Sequence, residues 1–271
     1  MADPMSRLRT NLLAPLAAAW LLGLVAVAPA QDAPARPDDA ALTPETILLS
    51  MARVYRNCRS YRDKGEVRGV LRVEGGRAGS SRPFSTAFVR PDRFRFEFTD
   101  SGLGERTSTY VVWTEGAEVR GWWDAQPGVR AMESLKEALG TASGISGGSS
   151  TRVPALLLPR QVGEGPPLAT ADRLDDGNDR GVACYRIKGR PRAVPYTVTV
   201  GSRVLTVQEE TVTLWIARDT FLLRRVEERT DYSNYTSETV TTYDPEIDVA
   251  ILPDELTFVA PQASPVPSPK P

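Results

Sequence analysis

The chain has 271 residues with 33 basic and 34 acidic side chains, a length that fits one large or two small domains. This even balance of charge excludes the basic footprint of a nucleic-acid-binding protein and gives no electrostatic reason to bind an anionic membrane. The sequence contains no histidine, which excludes Ser-His-Asp and Cys-His catalysis and removes the commonest metal ligand. We therefore expect a non-enzymatic protein with no metal and no cofactor.

Residues 1–30 have the pattern of a secretory signal peptide. Arg7 and Arg9 precede the apolar run "LLAPLAAAWLLGLVAVA", and "APA" at 28–30 is a small-x-small cleavage site. We predict cleavage after Ala30, a periplasmic or secreted location, and a flexible segment over 31–43. A membrane anchor is the alternative interpretation. No later apolar run approaches a transmembrane length, so we do not expect an integral membrane protein.

The first predicted element after this segment is a helix over about 44–57. Thr43 is a candidate N-cap with Pro44 at the first helical position. Apolar residues, including Ile47 and Met51, then recur at helical spacing and predict one packing face.

From Ser60 the apolar period changes to two, which predicts strands. Short alternating segments follow one another, with turns expected at Pro91–Asp92, Glu115–Gly116 and Asp219–Thr220. The pattern predicts one meandering antiparallel sheet.

A helical insertion is predicted at about 131–160, where "RAMESLKEALGTAS" has helical spacing, "GISGGSS" is expected to be flexible and "PALLLP" is a short apolar piece. The insertion is either a mobile lid or a packed surface addition. Residues 261–271 are proline-rich and predicted to be disordered.

Together these elements predict an α+β fold, a twisted antiparallel half-barrel over 44–260 with helices covering its concave face. The apolar interior is either solid core or a ligand cavity.

Cys58 and Cys184 are the only cysteines. In an oxidising compartment the two are a candidate disulfide, and two buried free thiols are the alternative.

The acidic stretch "TTYDPEIDVAILPDELTF", residues 241–258, raises the question of a metal loop or a carboxylate active site. It lacks the glycine and the ordered spacing of a calcium loop. Alternation of Ile247 and Val249 with acidic residues favours a half-buried strap that closes the sheet.

Several segments, in order, resemble the outer-membrane lipoprotein carrier (LolA/LolB-like) superfamily, in particular its uncharacterised exported bacterial members. They are "VYRNCRSYRDKGEV", "FSTAFVRPDRFRFEF", "VVWTEGAEV", "VTLWIARDTFLLRRVEE" and "TTYDPEIDVAILPDELTFVAP". The resemblance implies a lipid-binding half-barrel without catalysis, whose partner is a lipid or an acylated lipoprotein and whose function is that of a carrier or chaperone. The alternative is a periplasmic sensor or interaction module that regulates envelope signalling through an envelope protein.

The apolar side chains that could contact lipid are aromatic residues of the sheet and leucines of the insertion. Ordinary core packing is the alternative for each of them. The candidates are Phe94, Phe96, Phe98, Trp113, Trp215, Leu135 and Leu139.

Overall fold

A large antiparallel sheet dominates the molecule. A computed structural model describes residues 42–100, 107–143, 146–163, 168–191, 194–200 and 203–261. The predicted signal peptide and most of the N-terminal segment lie outside the described residues, as does most of the proline-rich tail.

The described strands are β1 (Ser60–Val73), β2 (Gly76–Val89), β3 (Arg93–Asp100), β4 (Ser108–Glu115), β5 (Glu118–Trp123), β6 (Gln126–Met132), β7 (Thr170–Asp179), β8 (Val182–Arg190), β9 (Tyr196–Val200), β10 (Arg203–Ala217), β11 (Leu223–Tyr232), β12 (Tyr235–Tyr243) and β13 (Glu246–Ile247). The described helices are α1 (Pro44–Asn57), α2 (Leu135–Ser143), α3 (Ser149–Leu157), α4 (Pro159–Val162) and α5 (Pro253–Leu256).

The strands follow the order β6-β5-β4-β3-β2-β1-β12-β11-β10-β8-β7, while β13 pairs with β1 and β9 pairs with β10. The strands β6 and β7 form the two ends of this order, so the sheet is open. The three predicted turns fall between consecutive strands, and Gly116 adopts the positive φ of 61° that its turn requires. The predicted α+β fold with an open antiparallel sheet is confirmed.

The helices α1 to α4 cover one face of the sheet, here called the concave face. Helix α1 begins as predicted, with the Thr43 hydroxyl accepting a hydrogen bond from the Thr46 amide at 3.3 Å. Its buried residues Ile47, Met51 and Tyr55 join the core cluster formed by the concave side chains of the sheet. Burial of this stripe, more than helix propensity, holds a helix of this length in place.

Of the stretch 241–258 that was predicted to be a strap, residues 241–243 belong to β12, and residues 244–258, here called the C-terminal strap, cross the opposite face. The ring of Phe258 lies 5.3 Å from Trp113 and 5.1 Å from Trp122 between ring centroids. A guanidinium nitrogen of Arg95 donates to the Thr257 carbonyl oxygen at 2.8 Å.

The carboxylates of the strap bind neighbouring groups of the fold. Arg224 pairs with Asp244 at 3.2 Å, Arg62 donates to Glu246 at 2.7 Å, and the Arg59 amide donates to Asp248 at 2.6 Å. Glu255 accepts a hydrogen bond from the Leu252 amide at 2.9 Å. These contacts confirm the interpretation of the acidic stretch as a structural strap.

Several segments differ from the sequence predictions. The helical insertion was predicted from about 131, but Ala131 and Met132 belong to β6, and strand β9 was not predicted. Strand β7 was not predicted, because its sequence "TADRLDDGND" is rich in charge, as edge strands often are. The segment expected to be flexible instead packs inward where it is described: Ser146, Ser149 and Ser150 are buried, and the Ser150 hydroxyl donates to the Leu139 carbonyl oxygen at 3.0 Å. Hydrogen bonding thus fixes a turn that composition alone predicts to be loose.

Candidate functional site: an open groove on the concave face

The helices leave part of the concave face uncovered, and a groove of about 1040 Å³ lies there. Its floor includes Val212 and Leu214 of β10 and Leu223 of β11. A volume of this size is at the upper end of the range for small-molecule sites.

Apolar side chains from helices form much of the lining. On α1 the groove is lined by Leu48, Leu49 and Met51, and on α3 by Ala155 and Leu156. Leu49 is 66 % exposed, although it is a large apolar side chain on a well-packed helix. An apolar residue left in solvent at the opening of an apolar groove is a feature of binding surfaces.

Charged side chains also contribute to the groove. Arg152 of α3 forms an ion pair with Glu228 of β11, which connects the helical wall to the sheet. Glu210 of β10 accepts a hydrogen bond from the Tyr196 hydroxyl at 2.7 Å. Lys136 of α2 and Glu45 of α1 lie on the lining as well. The groove therefore combines an apolar floor with polar groups that could contact a headgroup.

The seven residues predicted to contact lipid fall into two sets. Phe94, Phe96, Phe98, Leu135 and Leu139 are all at most 3 % exposed and belong to the core beneath the helices. Trp113 and Trp215 lie on the opposite face, since they alternate with the core residues Val112 and Leu214. None of the seven is among the residues that line the groove.

The two tryptophans on the opposite face contact aromatic or charged side chains of the fold. The ring of Trp113 packs at a tilt of 56° against Phe258 of the strap. Trp215 lies between the guanidinium groups of Arg186 and Arg225, at 4.6 Å and 5.4 Å from its ring centroid. The alternation of apolar and polar residues along a strand predicts which side chains share a face, but it does not predict which face the helices cover.

Sequence reasoning missed the groove residues on α1 and β10. Leu49 carried a usable signal, because it is apolar but lies outside the packing stripe that contains Ile47 and Met51. Val212, Leu214 and Leu223 of the groove floor have no such sequence signal, since their alternating pattern is that of any half-buried strand.

The expected disulfide is absent. Cys58 and Cys184 are both buried free thiols. The Cys58 thiol donates to the Tyr55 carbonyl oxygen at 3.2 Å at the end of α1, whereas Cys184 lies within β8. Burial raises the pKa of each thiol above the ordinary value for cysteine. A count of two cysteines predicted a pair, but the fold places each in its own packed site.

A buried polar cluster lies beneath α1. Asp63 is 1 % exposed and accepts a hydrogen bond from the Tyr61 hydroxyl at 2.8 Å. Among the residues that the structure describes, none forms a hydrogen bond of ordinary geometry with its other oxygen or with the hydroxyl of Thr86, which lies opposite Asp63 on β2. Burial raises the pKa of Asp63 to about 7, although the neighbouring polar groups of Thr86 and Tyr61 act to lower it. The cluster belongs to the core and not to the groove lining.

Within the described ranges, no three His, Cys, Asp or Glu side chains are grouped so as to hold a metal ion. In the same part of the chain, no helix has the length and apolar character needed to cross a membrane.

Several solved structures are similar to this chain. Lipoprotein LppX of Mycobacterium tuberculosis is 13 % identical, with 79 % of this chain and 98 % of LppX covered and a TM-score of 0.40. A LolA superfamily protein of Nitrosomonas europaea is 12 % identical over 80 % of this chain and 98 % of its own, with a TM-score of 0.29. MucB in the MucA/MucB complex of Pseudomonas aeruginosa is 13 % identical over 79 % of this chain and 60 % of that chain, with a TM-score of 0.33.

The Nitrosomonas structure bears the name of the superfamily that the sequence resembles. No protein-family model and no curated protein sequence matches the chain.

Proposed function

We propose that this protein is a non-catalytic, exported binding protein that holds the acyl chains of a lipid or of an acylated lipoprotein in the concave groove. The observation that carries the proposal is the groove itself, a space of about 1040 Å³ with an apolar floor between two helical walls. Transfer of acyl surface from water to such a floor is favourable by about 25 cal/mol per Å² before ordering costs are subtracted.

The proposal accounts for the exposure of Leu49. An exposed leucine gains nothing for folding, but it adds apolar contact area at the opening of the groove when an acyl chain is bound. The signal-peptide pattern of residues 1–30 supports action outside the cytoplasm, where lipids and acylated proteins of the cell envelope are the available ligands.

The test uses a fluorescent fatty acid, dansyl-undecanoate, titrated into the purified protein, with palmitoyl-lysophosphatidylcholine as a competing lipid. We expect saturable binding that the competitor reverses. Leu49→Gln should weaken binding about tenfold, because burial of a leucine side chain contributes about 1.5–3 kcal/mol.

Leu252→Gln is the matched control. Leu252 is also a leucine of similar exposure, 59 % against 66 %, but it lies on the strap and does not line the groove. Equal affinity in all three proteins, or absence of saturable binding, would overturn the proposal.

A further inference from the structure

A second cavity, of about 210 Å³, lies where strands β4, β5 and β6 contact helix α2. Its lining includes Gly121 of β5, whose neighbours in the sheet are Val112 of β4 and Arg130 of β6. A Cβ atom at Gly121 would lie 3.5 Å from Met132 Cγ and 3.6 Å from the Tyr110 hydroxyl oxygen. A glycine in the interior of a strand often marks a place where a ligand approaches the backbone closely, because no side chain fills the space above it.

Two aromatic side chains contribute to the walls of this cavity. The rings of Tyr110 and Trp123 are 6.5 Å apart between centroids and nearly perpendicular, at 83°. Hydrogen bonds hold both rings in place. The Tyr110 hydroxyl donates to the Ala138 carbonyl oxygen at 2.8 Å, and Trp123 Nε1 donates to the Ser108 hydroxyl at 2.7 Å. Two fixed rings at this angle form a preformed apolar surface for a third ring.

The cavity also has a cationic group at its edge. Among the described residues that line it, Arg130 is the one with a charge, and its side chain is exposed. Within that part of the chain Arg130 makes no hydrogen bond, ion pair or ring contact. Arg120, by contrast, precedes Gly121 and so lies on the other face of β5, where it pairs with Glu115 at 3.1 Å and Glu118 at 2.9 Å. The guanidinium group of Arg130 is therefore available to an anion, and a carboxylate matches its geometry best.

The size of the cavity fits a single ring. An apolar cavity of about 150 Å³ holds one benzene molecule, so a volume of about 210 Å³ accommodates a ring with a small substituent. No described residue lines both this cavity and the concave groove. Helix α2 contributes Thr141 to the cavity and Lys136 and Gly140 to the groove, so a ligand can occupy one without entering the other.

We propose that this cavity is a second binding site, which takes a small aromatic carboxylate. The ring lies over Gly121, against Tyr110 and Trp123. The sulfur of Met132 contacts the edge of the ring, and the carboxylate pairs with Arg130. The site is separate from the groove, so the proposal does not depend on whether the groove holds lipid.

The test is a titration of para-fluorobenzoate into the intact protein, followed by fluorine NMR of the ligand. The matched control ligand is para-fluorobenzamide, which has the same ring and nearly the same shape but no charge. We expect saturable binding of the acid and at least about tenfold weaker binding of the amide. The acid should not displace dansyl-undecanoate from the protein.

Two substitutions locate the site on the protein. Gly121→Ala adds a methyl group at ordinary van der Waals distance from its neighbours, so the unfolding temperature should not fall. The methyl group takes the space of the ring, and binding of the acid should weaken at least about tenfold. Arg130→Gln should abolish the preference for the acid over the amide. Arg120→Gln is its control on the other face of the sheet and should leave both affinities unchanged.

Any of three results would overturn the proposal. They are absence of saturable binding of the acid, equal affinities for the acid and the amide in the wild type, and unchanged affinity for the acid in Gly121→Ala. Displacement of dansyl-undecanoate by the acid would overturn it as well, because the acid would then occupy the concave groove.

Discussion

Asp63 shows how one residue can oppose the stability of the fold that contains it. It is a carboxylic acid surrounded by Tyr61, Thr86 and the rings of Tyr55 and Tyr243, with Asp244 as a more distant like charge. Burial favours the neutral acid, and a protonated Asp63 has a donor for the otherwise unpaired Thr86 hydroxyl. Sequence reasoning did not identify Asp63, since nothing in "SYRDKGEV" distinguishes it from the surface residues beside it.

The raised pKa predicts a pH dependence of stability. Between pH 4 and pH 7 the folded chain holds a proton on Asp63 that the unfolded chain releases, so this contribution to stability is present below pH 4 and lost as the pH rises through about 7. The rise from 3.8 to about 7 corresponds to about 4 kcal/mol at most.

Asp63→Asn should remove the decrease in stability that ionisation of Asp63 causes at high pH, because asparagine does not ionise. Urea unfolding at a series of pH values should give nearly equal free energies for variant and wild type at pH 4 and a more stable variant, by about 2–4 kcal/mol, at pH 8. A constant difference across this range would contradict the assignment of the buried acid.

At the scale of elements, close approach between strands depends on glycine. A Cβ atom at Gly65 of β1 would lie 2.2 Å from Phe84 Cζ and 2.4 Å from the Thr242 carbonyl oxygen. The residue therefore leaves space for an aromatic ring of β2 and for the backbone of β12, which pairs with β1 on its other side. Gly140 of α2, in contrast, is exposed and has no atom within 4 Å of a Cβ position.

These two glycines predict opposite effects of the same substitution. Gly65→Ala should reduce the free energy of unfolding by about 3 kcal/mol or more, because both the ring and the backbone would have to move. Gly140→Ala should increase it by about 0.5–1 kcal/mol, since alanine favours a helix interior. Chemical unfolding of both variants is the measurement, and equal effects of the two substitutions would contradict the packing at Gly65.

The described part of the chain from Leu42 onward forms an open sheet whose helices cover only part of one face. This partial cover creates the groove, because the floor on β10 and β11 continues beyond the region that α2 and α3 fill. A ligand that binds only this folded arrangement must stabilise it by mass action.

Bound lipid should therefore raise the unfolding temperature. A ligand at 100 times its dissociation constant adds about 2.7 kcal/mol, which corresponds to about 5–10 °C for a domain of this size. Palmitoyl-lysophosphatidylcholine below its micellar concentration is the ligand, and Leu49→Gln should show a smaller shift than Leu252→Gln. Identical shifts in these two variants would indicate that the lipid acts elsewhere on the protein.

The sequence by itself determined the local elements with good accuracy. The helix Pro44–Asn57, the three turns and the strap were all predicted, because capping residues, period-two alternation and turn chemistry act between neighbours in the chain. It also determined the open antiparallel fold, since consecutive strands joined by short turns pair with each other.

Tertiary structure alone decided which surfaces are exposed. The phenylalanine stripe of β3 became closed core because it shares one hydrophobic cluster with residues of α1 to α3, and Trp113 and Trp215 lie on the other face. Whether Cys58 meets Cys184 and whether Asp63 keeps its proton both depend on distant segments. The physical reason is that burial and pairing are properties of contacts between parts of the chain far apart in sequence, whereas the local pattern fixes only what each segment can offer to such a contact.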